Sequence, residues 1–378
     1  MIVLISIGLE KARARELQSM KKLLNDFIDR YFHDEESIIL VILLSAGLVA
    51  LLLLGSILAP LIAAIIVAYL MQGLVNLLLK YNLSDRLAFL LVYTLFISVF
   101  LVVLLFLLPQ AGSQFRRLVT ELPNLITQWQ SSLQLLSENY PSLFSEQQID
   151  GFIEGLAGEL GGFGQTILEY SLASLPDIFA LFIFIVLVPV LVFFVMKDKQ
   201  MLVSWAGNFL PRNRPLMSGI WQEMDEQISN YIRGKAVEIL IVGSASYLTF
   251  VILGINYAIL LSVLVGLSVI VPYIGATAVT VPIAAVAYVQ WGIGGEFYTV
   301  LIVYFILQII DGNVLVPIIF SEAVNLHPVA IIAAVLVFGG VWGLAGVFFA
   351  IPLATLIKAI INAWPGKMQI KPLESSTA

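Results

Sequence analysis

From residue 38 to residue 79 the chain runs for 42 positions without a charged side chain. A helix needs about 20 apolar residues to cross a bilayer. A run of twice that length therefore predicts two successive crossings, with Gly55, Ser56 and Pro60 marking a turn between them. Uncharged stretches at 87–108, ending at Pro109, and at 178–196, with Pro189 inside, predict a third and a fourth. Composition closes off other classes. The 378 residues are 60% hydrophobic and 12% charged, against about 45–50% and about 25% in soluble domains. So much apolar surface excludes a water-soluble enzyme. No basic face points to nucleic acid, and the absence of cysteine excludes a disulfide scaffold. Two histidines, His33 and His327, leave no histidine-based metal cluster, and no cofactor is expected. The fold class read from this pattern is an all-α polytopic integral membrane protein. It has about eight membrane-embedded helical segments, several broken or re-entrant in the C-terminal half, plus an external helical segment.

Basic residues orient the crossings, because cytoplasmic loops carry the excess of Lys and Arg. If the first four crossings alternate, 17 of the 19 basic residues fall on one side. The other two, Arg116 and Arg117, lie in 109–177 beside eight acids. The reading is a cytoplasmic N-terminal segment at 1–37, crossings within 38–108, an external (periplasmic) helical segment at 109–177 and a crossing at 178–196. A cytoplasmic amphipathic helix follows at 197–235, then a C-terminal membrane core at 236–363 and a cytoplasmic tail at 364–378. The order of apolar and charged residues at the start is not that of a signal peptide, and Met20 is an alternative start. In 197–235, Ile220, Met224, Ile228 and Ile232 form an apolar stripe beside Trp221, suited to the membrane interface or to a neighbouring subunit.

The second half is interrupted often. No Lys or Arg occurs between Lys235 and Lys358. The stretch 236–254 reads as a fifth crossing. A 15-residue run at 257–271 stops at Pro272, Tyr273 and Gly275, and 276–291 resumes through Pro282. Residues 329–363 are broken by Gly339, Gly340, Gly343 and Gly346 and later by Pro352. Irregular backbone at membrane depth is tolerated only inside protein or beside a water-filled cavity, and such breaks point to a transporter's binding region. Glycine and proline also serve plain helix packing, so both readings stand. Asp311, with Gly312 and Asn313, follows a long apolar run. A carboxylate there must face water, a cation, a proton or a partner; the competing reading is an ordinary turn at the membrane surface. Glu322 and His327 lie in a polar loop before Pro328, where Ser321 or Asn325 suits a helix cap and His327 suits a proton-linked or a merely interfacial role. Glu238 reads as the local ion-pair partner of Arg233 or Lys235.

These segments carry a resemblance. NYIRGK at 230–235, GINYAILL at 254–261, VPYIGA at 271–276, DGNVLVPIIFSEAVNLHP at 311–328 and FGGVWGLAGVFFAIPLATLIKAIINAWP at 338–365 resemble the autoinducer-2 exporter family of membrane transporters, and most closely its PerM branch. LVPVLVFFVMKDK at 187–199 and LPRNR at 210–214 are similar too. The resemblance runs from about Tyr31 to Pro365 and is loosest in 109–170. One departure is Ala276, where many members have proline. The resemblance implies secondary transport of small molecules or ions, by export or by exchange of a cation for protons, in the bacterial cytoplasmic membrane. It also implies a homo-oligomer, with a pentamer expected.

The candidate transport pathway read from the sequence is Asp311 and Asn313, Pro272, Tyr273 and Gly275, Glu322 and His327, and the glycines Gly339, Gly340, Gly343 and Gly346. No G-x-x-x-x-G-K-[ST] loop is present, so the chain carries no phosphate cradle of its own. The expected partners are the bilayer, a small-molecule or ion substrate and further copies of the chain. A non-transporting scaffold or regulator of an envelope complex is the alternative. An intramembrane enzyme is not expected, because no nucleophile–base constellation is present. The charge count makes a first prediction. Single cysteines at Ser142 and Ser218 label from opposite sides of the membrane with an impermeant thiol reagent. Labelling of both from one side would overturn the orientation.

Overall fold

The computed structural model describes residues 35–121, 151, 155, 175–272, 274–320 and 326–363. All regular structure among these is helical: α1 Glu35–Lys80, α2 Asp85–Val102, α3 Leu175–Lys197, α4 Lys199–Gly207, α5 Pro215–Leu253, α6 Ala258–Ser268, α7 Ile274–Trp291, α8 Gly295–Ile310, α9 Val316–Phe320 and α10 Pro328–Ala363. Seven stretches are long and apolar enough to cross a membrane, and eight if the broken pair α3–α4 counts as one. The shorter apolar helices Ala258–Ser268 and Pro328–Gly343 add to these. The described residues fall into two packed units. One lies within Pro60–Lys199 and Ser229–Ala323, the other within Met1–Ala59, Gln200–Ile228 and Val324–Ala378.

Three boundaries differ from the sequence reading. The backbone is helical through Gly55, Ser56 and Pro60, although Glu36–Gly55 and Ile57–Lys80 are each long enough to cross. Proline removes one amide donor, a loss that membrane helices absorb. Helix also continues past Pro109 to Glu121. A π-helical turn at Val103–Leu107 precedes that proline and widens the turn in which its ring must fit. Finally, α5 is one helix of 39 residues, so nothing breaks at 235. Lys235, Tyr231 and Ile232 are buried rather than cytoplasmic surface.

In the first unit, α5 to α8 build a hairpin. Helix α5 ends in a glycine cap: Gly254 takes a positive φ of 69°, its amide donates to Val251 O, and the Ile255 amide donates to Phe250 O. Ile255 and Phe250 are both buried in the same apolar cluster. Helix α6 starts there and has only 11 residues. Helix α7 has 18 and comes back to the same end, because Gln290 near its C-terminus bonds that loop with both ends of its amide. Gln290 Nε2 donates to Gly254 O at 2.8 Å, and Gln290 Oε1 accepts from the Asn256 amide at 2.7 Å. The segment 257–291 thus folds back on itself as a helical hairpin of one short and one crossing-length arm. Val242, Phe250, Leu261, Val265, Ile283, Val300 and Tyr304 form the core between its arms and the flanking helices. A second cluster joins Ala64, Ala68 and Met71 of α1 to Ala88 and Val92 of α2 and Val188 and Val192 of α3.

In the other unit α10 bends at Gly343 (φ 59°, ψ −137°) into two arms. Ala334 and Val335 of the first arm pack on Ala350 of the second. The stripe on α5 is buried within this same chain: Met217, Ile220 and Met224 pack on Leu40 and Ala359. Trp221 beside it is exposed. The stripe is therefore neither an interfacial face nor free for a neighbouring subunit. Glu36 Oε1 accepts from the Met217 amide at 2.6 Å and so caps the otherwise unpaired start of α5.

Each hairpin closes on a glycine. A Cβ on Gly275 would lie 1.8 Å from Ser268 O, and one on Gly346 would lie 1.8 Å from Phe338 O. A Cβ on Gly340 would meet nothing within 4 Å. Gly275→Ala and Gly346→Ala should each cost about 3 kcal/mol or more, while Gly340→Ala stays within about 1 kcal/mol of wild type. Thermal unfolding in detergent checks this, and three equally stable variants would overturn the two closures.

Candidate functional site

The tip of the α6–α7 hairpin meets three other elements. Helix α5 contributes NYIRGK, now internal to a continuous helix. Lys235 and Glu238 are three residues apart and share one face. Their side chains pair at 2.7 Å and are 5% and 2% exposed as residues. Lys235 Nζ also donates to Val269 O at 2.7 Å, the first carbonyl after α6 ends. Its third neighbour is the Phe320 ring at the end of α9, with the centroid 5.3 Å away. Gly234 admits that ring: a Cβ there would meet Phe320 and Ile319 at 2.6 and 2.8 Å. Tyr231, one turn earlier, is buried with its ring 6.1 Å from that of Phe320.

Asp311 completes the cluster. It opens a π-helical turn, Asp311–Leu315, inside a 26-residue helical stretch Gly295–Phe320. The surface-turn reading of Asp311–Asn313 is thereby corrected, since the helix carries straight through Gly312. Single π turns of this kind recur at functional sites. Asp311 is 9% exposed, its Oδ1 has no hydrogen-bond partner, and it lies within electrostatic reach of Lys235 and Glu238. Of the two carboxylates only Glu238 pairs with the ammonium; Asp311 feels it at longer range. With all three ionised the cluster carries one excess negative charge in a site nearly closed to water, where unbalanced charge is costly.

The sequence-selected residues divide. Pro272 and Gly275 lie at the hairpin tip, where the Ile274 amide donates to Pro272 O and the Gly275 amide to Val271 O. Asn313 is exposed, and its side-chain amide donates to Ile309 O of its own helix, so it does not attend Asp311. His327 is exposed and its Nδ1 accepts from the Val329 amide, which makes it the cap of α10. Gly339, Gly340, Gly343 and Gly346 line the bend of α10 in the other unit. Tyr273, Glu322, Ser321 and Asn325 lie outside the described residues.

The nearness of Lys235 to Asp311 is not legible in the sequence, because no Lys or Arg lies between Lys235 and Lys358 and only tertiary packing brings the two within electrostatic reach. What the sequence does carry is the i, i+3 spacing of Lys235 to Glu238 on a helix entering the membrane. The local pairing of Glu238 with Lys235 holds. Arg233 instead donates to Ser229 Oγ and lies over Gly73 of α1, where a Cβ would touch its side chain at 2.7 Å.

The far end of the hairpin is tied by neutral and acidic groups. Gln114 Oε1 accepts from the Leu260 amide at 2.9 Å, pairing an amide in the first turn of α6. Tyr257, in left-handed backbone at φ 59°, donates its hydroxyl to Glu121. Burial, and the Glu121 carboxylate that accepts this bond, push the Tyr257 phenol up to about 12, so it remains a donor at neutral pH.

The buried pair makes a further prediction. Glu238→Leu strands the ammonium and costs about 3–5 kcal/mol of stability. Adding Lys235→Met removes the stranded charge and recovers part of that loss. Thermal unfolding of the single and double variants decides it, and a double variant less stable than Glu238→Leu would overturn the pairing.

Comparison with known proteins places this geometry. A sequence model described as "AI-2E family transporter" matches residues 38–366. The chain is 43% identical over 346 residues to a protein of Escherichia coli (strain K12) described as "Putative permease PerM", covering 92% of this chain and 98% of that one. It is 24% identical over 276 residues to the "AI-2 transport protein TqsA" of the same organism, covering 72% of this chain and 77% of that one. The chain belongs to the AI-2E transporter family, and it is a multi-pass membrane transport protein.

Proposed function

We propose that this protein is a secondary transporter of the bacterial cytoplasmic membrane that exports a small polar molecule or exchanges a cation for protons. Both termini are placed in the cytoplasm. The observation that carries the reading is Asp311: a buried carboxylate with one unpartnered oxygen, in a π-helical turn of an apolar helical stretch and within electrostatic reach of Lys235. Re-entrant and broken helices present free carbonyls and amides that hold ions or polar solutes without added charge. Pro272 and Gly275 at the hairpin tip belong to the proposed pathway, and Tyr273 joins them on the sequence argument. Asn313, Glu322 and His327 stay in it on the sequence argument. The glycines 339–346 are assigned a transport role as the bend of the second hairpin. A homo-oligomer, pentameric by resemblance, is part of the proposal, and neither catalysis nor a bound cofactor is.

Asp311→Asn keeps size and hydrogen bonding and removes the charge. In proteoliposomes, wild type should show flux that depends on pH or on a cation gradient, and Asp311→Asn should lose that dependence while still folding. Unchanged flux with unchanged dependence in the variant would overturn the role of Asp311.

A further inference from the structure

We infer that the Lys235 ammonium occupies a monovalent-cation site, as a tethered cation standing where a free alkali ion would otherwise bind. The inference deepens the reading above and rests on it for its meaning in transport. The ligand set is the argument. The ammonium nitrogen lies 2.7 Å from a carboxylate oxygen of Glu238 and 2.7 Å from the Val269 carbonyl of an interrupted helix. It faces the Phe320 ring at 5.3 Å, a contact in which the ring quadrupole attracts a cation. A second carboxylate, Asp311, forms no ion pair with the ammonium but lies within its electrostatic reach; it is more than nine-tenths buried, and its Oδ1 is unpartnered. Carboxylate oxygens plus the freed carbonyl of a broken helix are the donors with which transporters hold monovalent cations. Lysine satisfies them with a strongly hydrated point charge on a flexible stem.

The site is built rather than fortuitous. Gly234 is open for Phe320, Glu238 follows one turn after Lys235, and Val269 O is aimed at the ammonium by the end of α6. In this arrangement the place of a free ion is taken, so wild type has no alkali-ion site here. Removing the ammonium leaves two buried carboxylates and an open carbonyl that solution cations would fill.

The test is thermal unfolding of the purified full chain in sodium, potassium or choline chloride at matched ionic strength. Wild type should unfold at one temperature in all three. Lys235→Ala should be destabilised in choline and should recover by about 5 °C in a saturable manner with sodium or potassium. Lys235→Ala combined with Asp311→Asn should show no such recovery. Lys235→Met, which keeps part of the stem's volume, serves where the alanine variant does not fold. Three outcomes overturn the inference: lysine variants indifferent to the cation, a wild type with the same alkali response, or neither lysine variant folding in any alkali salt. The readout is binding, not flux. An alkali response in Lys235→Ala with unchanged flux in Asp311→Asn would therefore sink the transport role of Asp311 and leave the cation site standing.

Discussion

A helix that stops inside protein leaves its last carbonyls without donors, and the hairpin depends on how one of them is satisfied. Helix α6 ends at Ser268, and Val269, 8% exposed, presents its carbonyl where little water reaches. An unpaired carbonyl of this kind costs about 1–3 kcal/mol. The Lys235 ammonium supplies the donor. That solution creates a second demand, because a buried ammonium without a counter-charge costs more than the carbonyl did. Glu238, one turn along the same helix, meets it at 2.7 Å. Asp311 lies within electrostatic reach of that cation, which offsets part of what burial costs a carboxylate 17 residues into a largely apolar helical stretch.

Backbone proximity follows from the same site. Lys235 reaches the hairpin only if α5 and α6 run close together, and they cross at Gly243 and Gly266. A Cβ on Gly266 would lie 3.2 Å from Gly243 Cα and 3.2 Å from Ile239 O. Larger residues would push the helices apart, and the lysine would lose its carbonyl. Gly234 performs the same service on the other side by admitting Phe320. The glycines of this region therefore act through distance, not through backbone freedom. Gly254, at φ 69°, and Gly292, at φ 68°, are the exceptions that need their conformation.

Much of this was legible in the sequence. Charge-free runs predict crossings because the bilayer punishes charge, and the described helices follow those runs. The hairpin was legible as two arms around Pro272 and Gly275. Its return to the starting side was not, since that rests on Gln290 bonding Gly254 and Asn256. Asp311 stood out because a lone carboxylate in an apolar run needs a reason. Its companion did not, because Lys235 is 76 positions earlier and only tertiary packing brings the two together. The continuity of α5 was obscured by a switch from amphipathic to uniformly apolar pattern, which reads as a boundary although the backbone ignores it. His327 suited either a proton-linked or a merely interfacial role, and its Nδ1 accepts from the Val329 amide at the start of α10.

The two ends of the hairpin are held by different physics. At the end where α5 stops, Gln290, Gln114 and the Tyr257–Glu121 pair tie the loop by several directional bonds. These bonds fix position in discrete steps and respond little to the cations around them. At the tip, the polar ties include the bond from Lys235 to Val269 O and that from the Tyr304 hydroxyl to Ala276 O. The first of these belongs to a buried ion pair, whose balance a change of protonation nearby would alter. Electrostatic energy in a poorly hydrated site varies steeply with such a change. A rearrangement driven by ion binding would therefore act on the tip and spare the opposite end, with the Gln290 clamp as the fixed point. The two ends thus differ in kind: one is tied by bonds of side-chain amides and a phenol, while the other includes a bond from a buried ion pair.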